Sequence, residues 1–258
     1  MKDNRDNSSL MVLSDVPAAL GLLSRLPVRV DTQRATARGA KAAWAYPLAG
    51  LILALIACAV GQIALWAGLT PALTAGLVLA TLVIITGAMH EDGLADAADG
   101  LWGGWDTARR LAIMKDSSIG AYGVIALTLG LGLRWHALTL AIDHNLLWHA
   151  VIAAAMLSRA VMVPIMARLP HARDTGLSHS VGRPGKTPAR IAEGTAIIAT
   201  LIMFQLGGLW LIAAALLTAT ACALIAKAKI GGQTGDILGA TQQVSEIAIL
   251  LTLTATLI

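Results

Sequence analysis

The chain repeatedly runs for many residues with almost no charge, and this pattern restricts the possible folds more than any other feature. A helix needs roughly 20 mostly apolar residues to cross the hydrocarbon core of a bilayer. Several stretches approach or exceed that length, which predicts membrane-spanning helices. The predicted spans are Trp44–Gly68, Ala72–His90, Gly120–Trp135, Leu147–Ala167, Ile191–Leu206, Leu209–Ala226 and Ile237–Ile258.

The composition supports this prediction. Hydrophobic residues make up 57% of the 258 residues and charged residues only 13%, whereas a soluble domain typically has about 25% charged residues. The short segments of alternating polarity that form a membrane β-barrel are not found in the sequence. We therefore predict an all-α fold, a polytopic transmembrane helix bundle of about seven spans that forms a single integral membrane domain over residues 1–258.

The segment before the first predicted span, residues 1–43, has a different character. Leu10–Leu26 has apolar residues at helical spacing but also carries Asp15 and Arg25. This combination favours an amphipathic helix on the membrane surface over an additional span. Met1–Ser9 is polar and mixed in charge, so no cleavable signal peptide is expected.

Basic residues are concentrated in alternate connections between the predicted spans. Of the 19 Lys and Arg residues, all but two lie in these connections or in the N-terminal segment. The positive-inside rule then places the N-terminus and these connections in the cytoplasm. Because the basic residues serve to orient the protein in the membrane, their number does not indicate a nucleic-acid partner. The two exceptions are Arg134, predicted to start a connection, and Arg159, inside a predicted span.

The stretch His90–Gly100 contains three aspartates, Asp92, Asp96 and Asp99, at i, i+4 and i+7. On a helix this spacing places them within about 60° of arc. Three like charges so close destabilise the helix unless a cation offsets them. Carboxylate oxygens suit Mg²⁺, or else Mn²⁺, with phosphate oxygens as further ligands. The alternative is a solvated acidic face at a helix end.

Two further polar segments could contact a phosphate. Lys115, Asp116 and Ser117 follow a basic pair in one cytoplasmic connection, and a cation there would neutralise phosphate charge. Before the last predicted span, Gly231–Asp236 contains Gly232, Gln233 and Thr234, whose backbone N–H groups could face a phosphate. Asp236 either adds a fourth carboxylate to the metal site or caps the following helix.

Ionisable residues inside predicted spans are costly and therefore indicate function. Arg159 and Glu246 are two such residues. Arg159 could reach a phosphate from within the bundle, or the two residues could pair for structural reasons. His90, next to the aspartates, is a candidate ligand or proton carrier.

These motifs resemble the cobalamin 5′-phosphate synthases (adenosylcobinamide-GDP ribazoletransferases). His90–Gly100 is similar to that family's His-x-Asp-Gly-Leu-Ala-Asp-x-x-Asp-Gly motif. A departure is Glu91, where family members often carry an apolar residue; it adds a charge but removes no expected ligand. Further similar segments, in the family's order, are Arg25–Val28, Tyr46–Gly50, Met114–Gly120 and Gly231–Ala240, with looser similarity at Ser158–Arg159 and His171–Leu177.

The resemblance implies a Mg²⁺-dependent enzyme of the bacterial inner membrane, with its active site in the cytoplasm. It would join adenosylcobinamide-GDP to α-ribazole or its 5′-phosphate, releasing GMP and forming adenosylcobalamin or its 5′-phosphate. Asp92, Asp96, Asp99 and Asp236 are the expected metal ligands, and Asp99 is a candidate general base. Lys115, Arg159 and Arg173 are the expected phosphate contacts. A homo-oligomer is compatible with the sequence.

Two other functions remain open at this point. A CDP-alcohol phosphotransferase uses similar aspartates and metal, but its motif carries Ala-Arg after Asp-Gly, and here Ala95 is followed by Asp96. An ion-coupled transporter would be expected to show broken helices in two matching halves. The sequence shows no internal repeat.

Overall fold

A computed structural model describes residues 9–256, and this part of the chain is helical. Within it, the extended pairing consists of an isolated bridge between His171 and Gln233. Two 3₁₀ helices, Gly39–Ala45 and Gln205–Gly207, accompany the α-helices. The α-helices are α1 (Asp15–Leu23), α2 (Thr32–Arg38), α3 (Tyr46–Trp66), α4 (Pro71–Thr86), α5 (Met89–Gly103), α6 (Thr107–Ile113), α7 (Ala121–Asp143), α8 (Leu147–Ala160), α9 (Met162–Arg168), α10 (Leu177–Val181), α11 (Lys186–Phe204), α12 (Gly208–Ile230) and α13 (Gly235–Thr256).

The structure confirms an all-α polytopic membrane protein. In the described residues, five helical segments are long and apolar enough to cross a membrane, and a bent pair of helices gives a sixth. One segment contains both α11 and α12, which are joined by the 3₁₀ helix Gln205–Gly207, and φ of Gln205 is 51°. Within residues 9–256, each predicted span lies on one or two of the helices above, and residues 257–258 of the last predicted span lie outside the described residues. The five segments are Thr32–Trp66, Ala121–Asp143, Leu147–Arg168, Lys186–Ile230 and Gly235–Thr256.

The bent pair corrects the predicted span Ala72–His90. α4 ends at Thr86 because Gly87 and Ala88 both adopt left-handed backbone conformations, with φ of 64° and 55°. Their N–H groups donate to carbonyls of the last helical turn, which is a common way for a helix to end. The chain then turns by 85° into α5. His90 and the aspartates therefore lie on a separate helix.

The centre of the bundle is the segment formed by α8 and α9. In the most apolar part of this segment 89% of the residues are buried, compared with 67% or less in the corresponding parts of the other four segments. Alanines such as Ala150, Ala153 and Ala154 are almost inaccessible to solvent. Small side chains allow neighbouring helices to pack closely around this axis. α3 and α13 pack on either side of it, and the start of α13 lies next to α5.

The N-terminal segment is attached to the bundle by a buried ion pair. α1 is shorter than the predicted helix Leu10–Leu26, and Asp15 at its start is only 1% exposed. Its Oδ2 accepts hydrogen bonds of 2.7 Å from Arg38 Nη2 and from Trp44 Nε1. Asp15 therefore faces the protein and not water. Contact of this segment with the membrane surface stays a prediction.

Replacing Asp15 with Ala should destabilise the protein by about 3 kcal/mol, because the guanidinium of Arg38 is left buried beside the vacated position. Thermal unfolding of the purified protein in detergent measures the change. Asp143→Ala is the control, since Asp143 is an exposed acid at the end of α7, and its removal should alter stability by no more than about 0.5 kcal/mol. Equal unfolding temperatures for the two variants would contradict the structural role of Asp15.

Candidate active site

The predicted aspartates lie where α5 crosses α13, and two glycines allow the crossing. A Cβ atom at Gly93 would lie 3.0 Å from the carbonyl oxygen of Asp236 and 3.1 Å from Cα of Gly239. A Cβ at Gly239 would in turn lie 3.3 Å from Cα of Gly93. Glycine at both positions lets the two backbones touch. The crossing brings residues 92 and 96 of α5 next to residue 236 of α13.

Asp92, Asp96 and Asp236 form an acidic cluster at this crossing. Asp92 is exposed, while Asp96 and Asp236 are partly buried. Asp96 is repelled electrostatically by the other two carboxylates and attracted by Arg173. Nη2 of Arg173 lies 3.0 Å from Oδ2 of Asp236. Three carboxylates beside one guanidinium leave an excess of negative charge, which favours the binding of a cation.

The charges and ligand atoms of this cluster suit Mg²⁺. Within residues 9–256, no three acidic, histidine or cysteine side chains converge closely enough to hold an ion by themselves. Mg²⁺ usually binds through one or two carboxylates, with water and substrate phosphates as its other ligands. One or two carboxylates of this cluster, together with water and the phosphates of a substrate, would fit such an ion.

Asp99 lies in a different environment from the other aspartates. It is buried, with 7% exposure. Its Oδ2 accepts a 2.7 Å hydrogen bond from the backbone N–H of Gly120, and its Oδ1 accepts one of 2.9 Å from that of Gly123. A carboxylate there satisfies unpaired N–H groups at the start of α7 and offsets the positive end of the helix. The predicted roles of Asp99 as ligand and base stay predictions, and the contacts add a positioning role.

The glycine-rich segment before α13 is fastened to the loop that carries Arg173. The backbone N–H of Gln233 donates to Pro170 at 2.8 Å, and its carbonyl accepts from the N–H of Ala172 at 3.0 Å. The Gln233 amide also contacts His171 Nδ1 and accepts a hydrogen bond from Ser178. A side chain at Gly232 would collide with the carbonyl of Pro170. We call this set of contacts the Gln233 clasp, and it positions Arg173 opposite Asp236.

Thr234, and not Asp236, caps α13. The Thr234 hydroxyl oxygen accepts a 3.2 Å hydrogen bond from the N–H of Ile237 in the first turn of α13. Thr234 is therefore the capping residue. The carboxylate of Asp236 instead contacts Arg173. Its role as a metal ligand stays a prediction.

The predicted loop residues Lys115, Asp116 and Ser117 are exposed. Lys115 Nζ lies 3.3 Å from the hydroxyl of Thr175, two residues after Arg173. This contact places Lys115 close to the loop that borders the acidic cluster. Hydrogen bonds from Ser118 hold the pKa of Asp116 below its usual value, so this carboxylate is ionised at neutral pH.

A buried ion-pair network that the sequence patterns do not predict lies behind the aspartates. Arg134 is not in a connection as predicted, because α7 continues to Asp143. Its side chain is 2% exposed. Nη1 lies 2.8 Å from Oε1 of Glu91 on α5, and Nη2 lies 2.6 Å from Oε1 of Glu246 on α13. Gln243 bonds to both Arg134 and Glu91. Arg134 thus joins the two helices that carry the acidic cluster.

One alternative predicted from the sequence is an ion pair between Arg159 and Glu246. This alternative is wrong, because Glu246 forms its ion pair with Arg134. Arg159 is also buried, and its Nη1 donates to the carbonyl of Ala155 at 3.2 Å. Its Nε has no hydrogen-bond partner among the described residues. Contact between Arg159 and a phosphate stays a prediction.

These observations define a polytopic membrane protein with acidic side chains and an arginine assembled at one end of its helix bundle. The sequence profile of the cobalamin-5-phosphate synthase family matches residues 15–254. The chain therefore belongs to this family.

Individual relatives agree with the family match. An adenosylcobinamide-GDP ribazoletransferase of Bradyrhizobium diazoefficiens is 45% identical, with 93% of each chain covered. Those of Mesorhizobium japonicum and Sinorhizobium medicae are 42% and 40% identical, over 95% and 92% of this chain and 94% of each relative. No solved structure matches the chain.

Replacing Arg134 with Met should destabilise the protein by about 3 kcal/mol or more, because Glu91 and Glu246 are left buried without their cation. The triple variant Glu91→Met/Arg134→Met/Glu246→Met removes all three charges and should recover part of this loss. Thermal unfolding in detergent compares the two. A triple variant less stable than Arg134→Met would show that the charges do not form one network.

Replacing Asp99 with Asn should lower stability by about 1–3 kcal/mol, because an amide nitrogen then faces a backbone N–H at the start of α7. Asp92→Asn, at an exposed member of the same helix, should unfold within a degree or two of wild type, consistent with about 0.5 kcal/mol or less. The unfolding temperatures of the two variants, measured side by side, test the assignment. An Asp99→Asn protein as stable as wild type would show that Asp99 does not position α7.

Proposed function

We propose that this chain catalyses the Mg²⁺-dependent joining of adenosylcobinamide-GDP to α-ribazole or its 5′-phosphate. The products are GMP and adenosylcobalamin or its 5′-phosphate. Membership of the family over residues 15–254 carries the proposal. Its relatives are named for this transfer. The convergence of Asp92, Asp96 and Asp236 opposite Arg173 supports it. A pyrophosphate donor needs a metal ion, which carboxylates can bind, and a positive side chain that offsets its phosphate charge.

The reaction proposed is direct transfer between two substrates. A ribose hydroxyl of the acceptor forms a bond to the donor phosphorus nearer the cobinamide, and the bond from that phosphorus to the GMP oxygen breaks. Asp92, Asp96 and Asp236 would hold the Mg²⁺. When bound, the ion stabilises negative charge on the transferring phosphoryl group and on the departing GMP.

The protein's own groups account for orientation and proton transfer. Arg173 offsets phosphate charge on the side of Asp236, and Lys115 lies near the same loop. The hydroxyl proton must pass to a base within hydrogen-bond reach. Both oxygens of Asp99 already accept backbone hydrogen bonds. Asp99 is therefore poorly placed to act as this base, and its contacts instead hold α7 in place beside the site.

The proposed location is the bacterial inner membrane, with the acidic cluster on the cytoplasmic side. Many basic residues occur in the segments that surround the cluster, including Arg38, Arg110, Arg173 and Lys229. The positive-inside rule assigns that end of the bundle to the cytoplasm. Both substrates would then be supplied from the compartment that contains nucleotides.

Purified protein in detergent, supplied with adenosylcobinamide-GDP and α-ribazole 5′-phosphate, should release GMP and form a corrinoid product in equal amounts, and only with Mg²⁺. Asp96→Asn should reduce the rate by at least about 100-fold, since it removes a charge from the transition-state site. Chromatography follows GMP and the corrinoid together. Asp143→Asn, far along α7, is the control and should retain wild-type activity.

Two results would count against the proposal. If folded wild-type protein releases no GMP under these conditions, adenosylcobinamide-GDP is not its donor substrate. Nearly full activity of Asp96→Asn with an unchanged Mg²⁺ requirement would show that the metal lies elsewhere. The first result would require CDP-linked alcohol donors to be tested with the same protein.

A further inference from the structure

A cavity of about 140 Å³ opens beside the acidic cluster and extends into the bundle. Its walls come from six helices and are mostly apolar. Three of the apolar residues are methionines. The walls include Leu23, Tyr46, Met89, Met162, Met166 and Leu238.

The cavity has a charged rim and few polar groups elsewhere in its lining. The buried hydroxyl of Ser178 already donates to Gln233, and the other uncharged polar residues are Tyr46 and His90. Asp92, Arg173 and Asp236 form the charged rim and are more exposed than the other polar residues of the lining. His90 also lines it but is only 1% exposed, and its Nε2 has no hydrogen-bond partner among the described residues. Burying a polar atom without a partner is costly. This atom indicates that a ligand group completes the site.

The size of the cavity restricts what can enter. An apolar cavity of about 150 Å³ holds a benzene molecule, so this one accommodates an aromatic ring system whose edge emerges at the rim. A corrin macrocycle is far too large. Methionine side chains are polarisable and make favourable contacts with aromatic rings. Tyr46 offers a further aromatic contact.

The polarity of the cavity distinguishes between the bases that the proposed reaction involves. The guanine of the donor carries several hydrogen-bond donors and acceptors, and these apolar walls would leave most of them unpaired at considerable cost. A benzimidazole ring attached to a sugar through one nitrogen has a single free acceptor, its second ring nitrogen. Two lining atoms are buried without a hydrogen-bond partner among the described residues: His90 Nε2, and Nη1 of Arg173 in the charged rim. Away from that rim, the single unpartnered atom of His90 matches the one free acceptor of the acceptor's base, whereas guanine would need several partners there.

We propose that this cavity binds the apolar, benzimidazole-type base of the acceptor, with His90 Nε2–H donating to the free ring nitrogen. The inference rests on the proposed function and specifies which substrate occupies this part of its site. With the base inside, the sugar emerges at the rim. Its hydroxyls then lie beside Asp92, Asp96 and Asp236, where the phosphoryl transfer is proposed to occur.

Equilibrium dialysis with free benzimidazole tests the cavity without turnover. Purified protein in detergent, with neither Mg²⁺ nor donor, is compared with detergent alone. Met89→Trp fills the cavity and should weaken binding at least tenfold. Met203→Trp is the matched control, because Met203 is a part-buried methionine of α11 outside the cavity, and it should bind as wild type does. His90→Phe keeps the shape, removes the donor, and should also weaken binding about tenfold.

Competitors identify the occupant. α-Ribazole should displace benzimidazole, whereas guanosine and decanoate should not. Displacement by guanosine would assign the cavity to the donor, and displacement by decanoate would assign it to a lipid chain. Equal binding to Met89→Trp and Met203→Trp would also overturn the proposal. Because no reaction is needed, loss of base binding and failure of GMP release are separate results, and each tests its own proposal.

Discussion

The guanidinium of Arg134 binds two carboxylates from different helices inside the helix bundle, and the geometry of the site depends on this interaction. Charges taken out of water are tolerated only when paired and hydrogen-bonded. Glu91 on α5 and Glu246 on α13 can therefore stay buried only while both reach Arg134 on α7. Glu91 immediately precedes Asp92, so the same requirement fixes the start of α5. The ion pairs position the acidic cluster without contributing to it.

Two further contacts complete the positioning of the site. Gly93 and Gly239 bring α5 and α13 into backbone contact, which sets the distance between the aspartates of one helix and Asp236 of the other. The Gln233 clasp then fixes the loop that carries Arg173. Small residues and hydrogen bonds, and not the aspartates themselves, hold these carboxylates together against their mutual repulsion. Such an arrangement is assembled in advance of any cation, which reduces the cost of binding one.

Much of this arrangement follows from local sequence patterns, and the rest requires contacts between distant residues. Long apolar stretches indicate membrane helices because length and hydropathy are local properties, and the i, i+4, i+7 spacing correctly groups Asp92 and Asp96. The spacing could not show that Asp99 points towards the start of α7, because that neighbour lies 21 residues away. A charged residue in an apolar stretch suggests that the helix ends there, and Arg134 is therefore wrongly predicted to lie in a connection. Its partners Glu91 and Glu246 are 43 and 112 residues away.

The helical break after α4 explains how one protein can offer both an apolar cavity and a charged rim. A straight continuation of α4 would carry the aspartates along the axis of the span. The left-handed residues Gly87 and Ala88 turn α5 by 85° instead, so its acidic face lies across one end of the bundle. Apolar helices behind it exclude water and suit an uncharged ring, while phosphates and metal need the solvated end. A reaction that joins a base-bearing sugar to a pyrophosphate uses both environments, and the boundary between them lies at the acidic cluster.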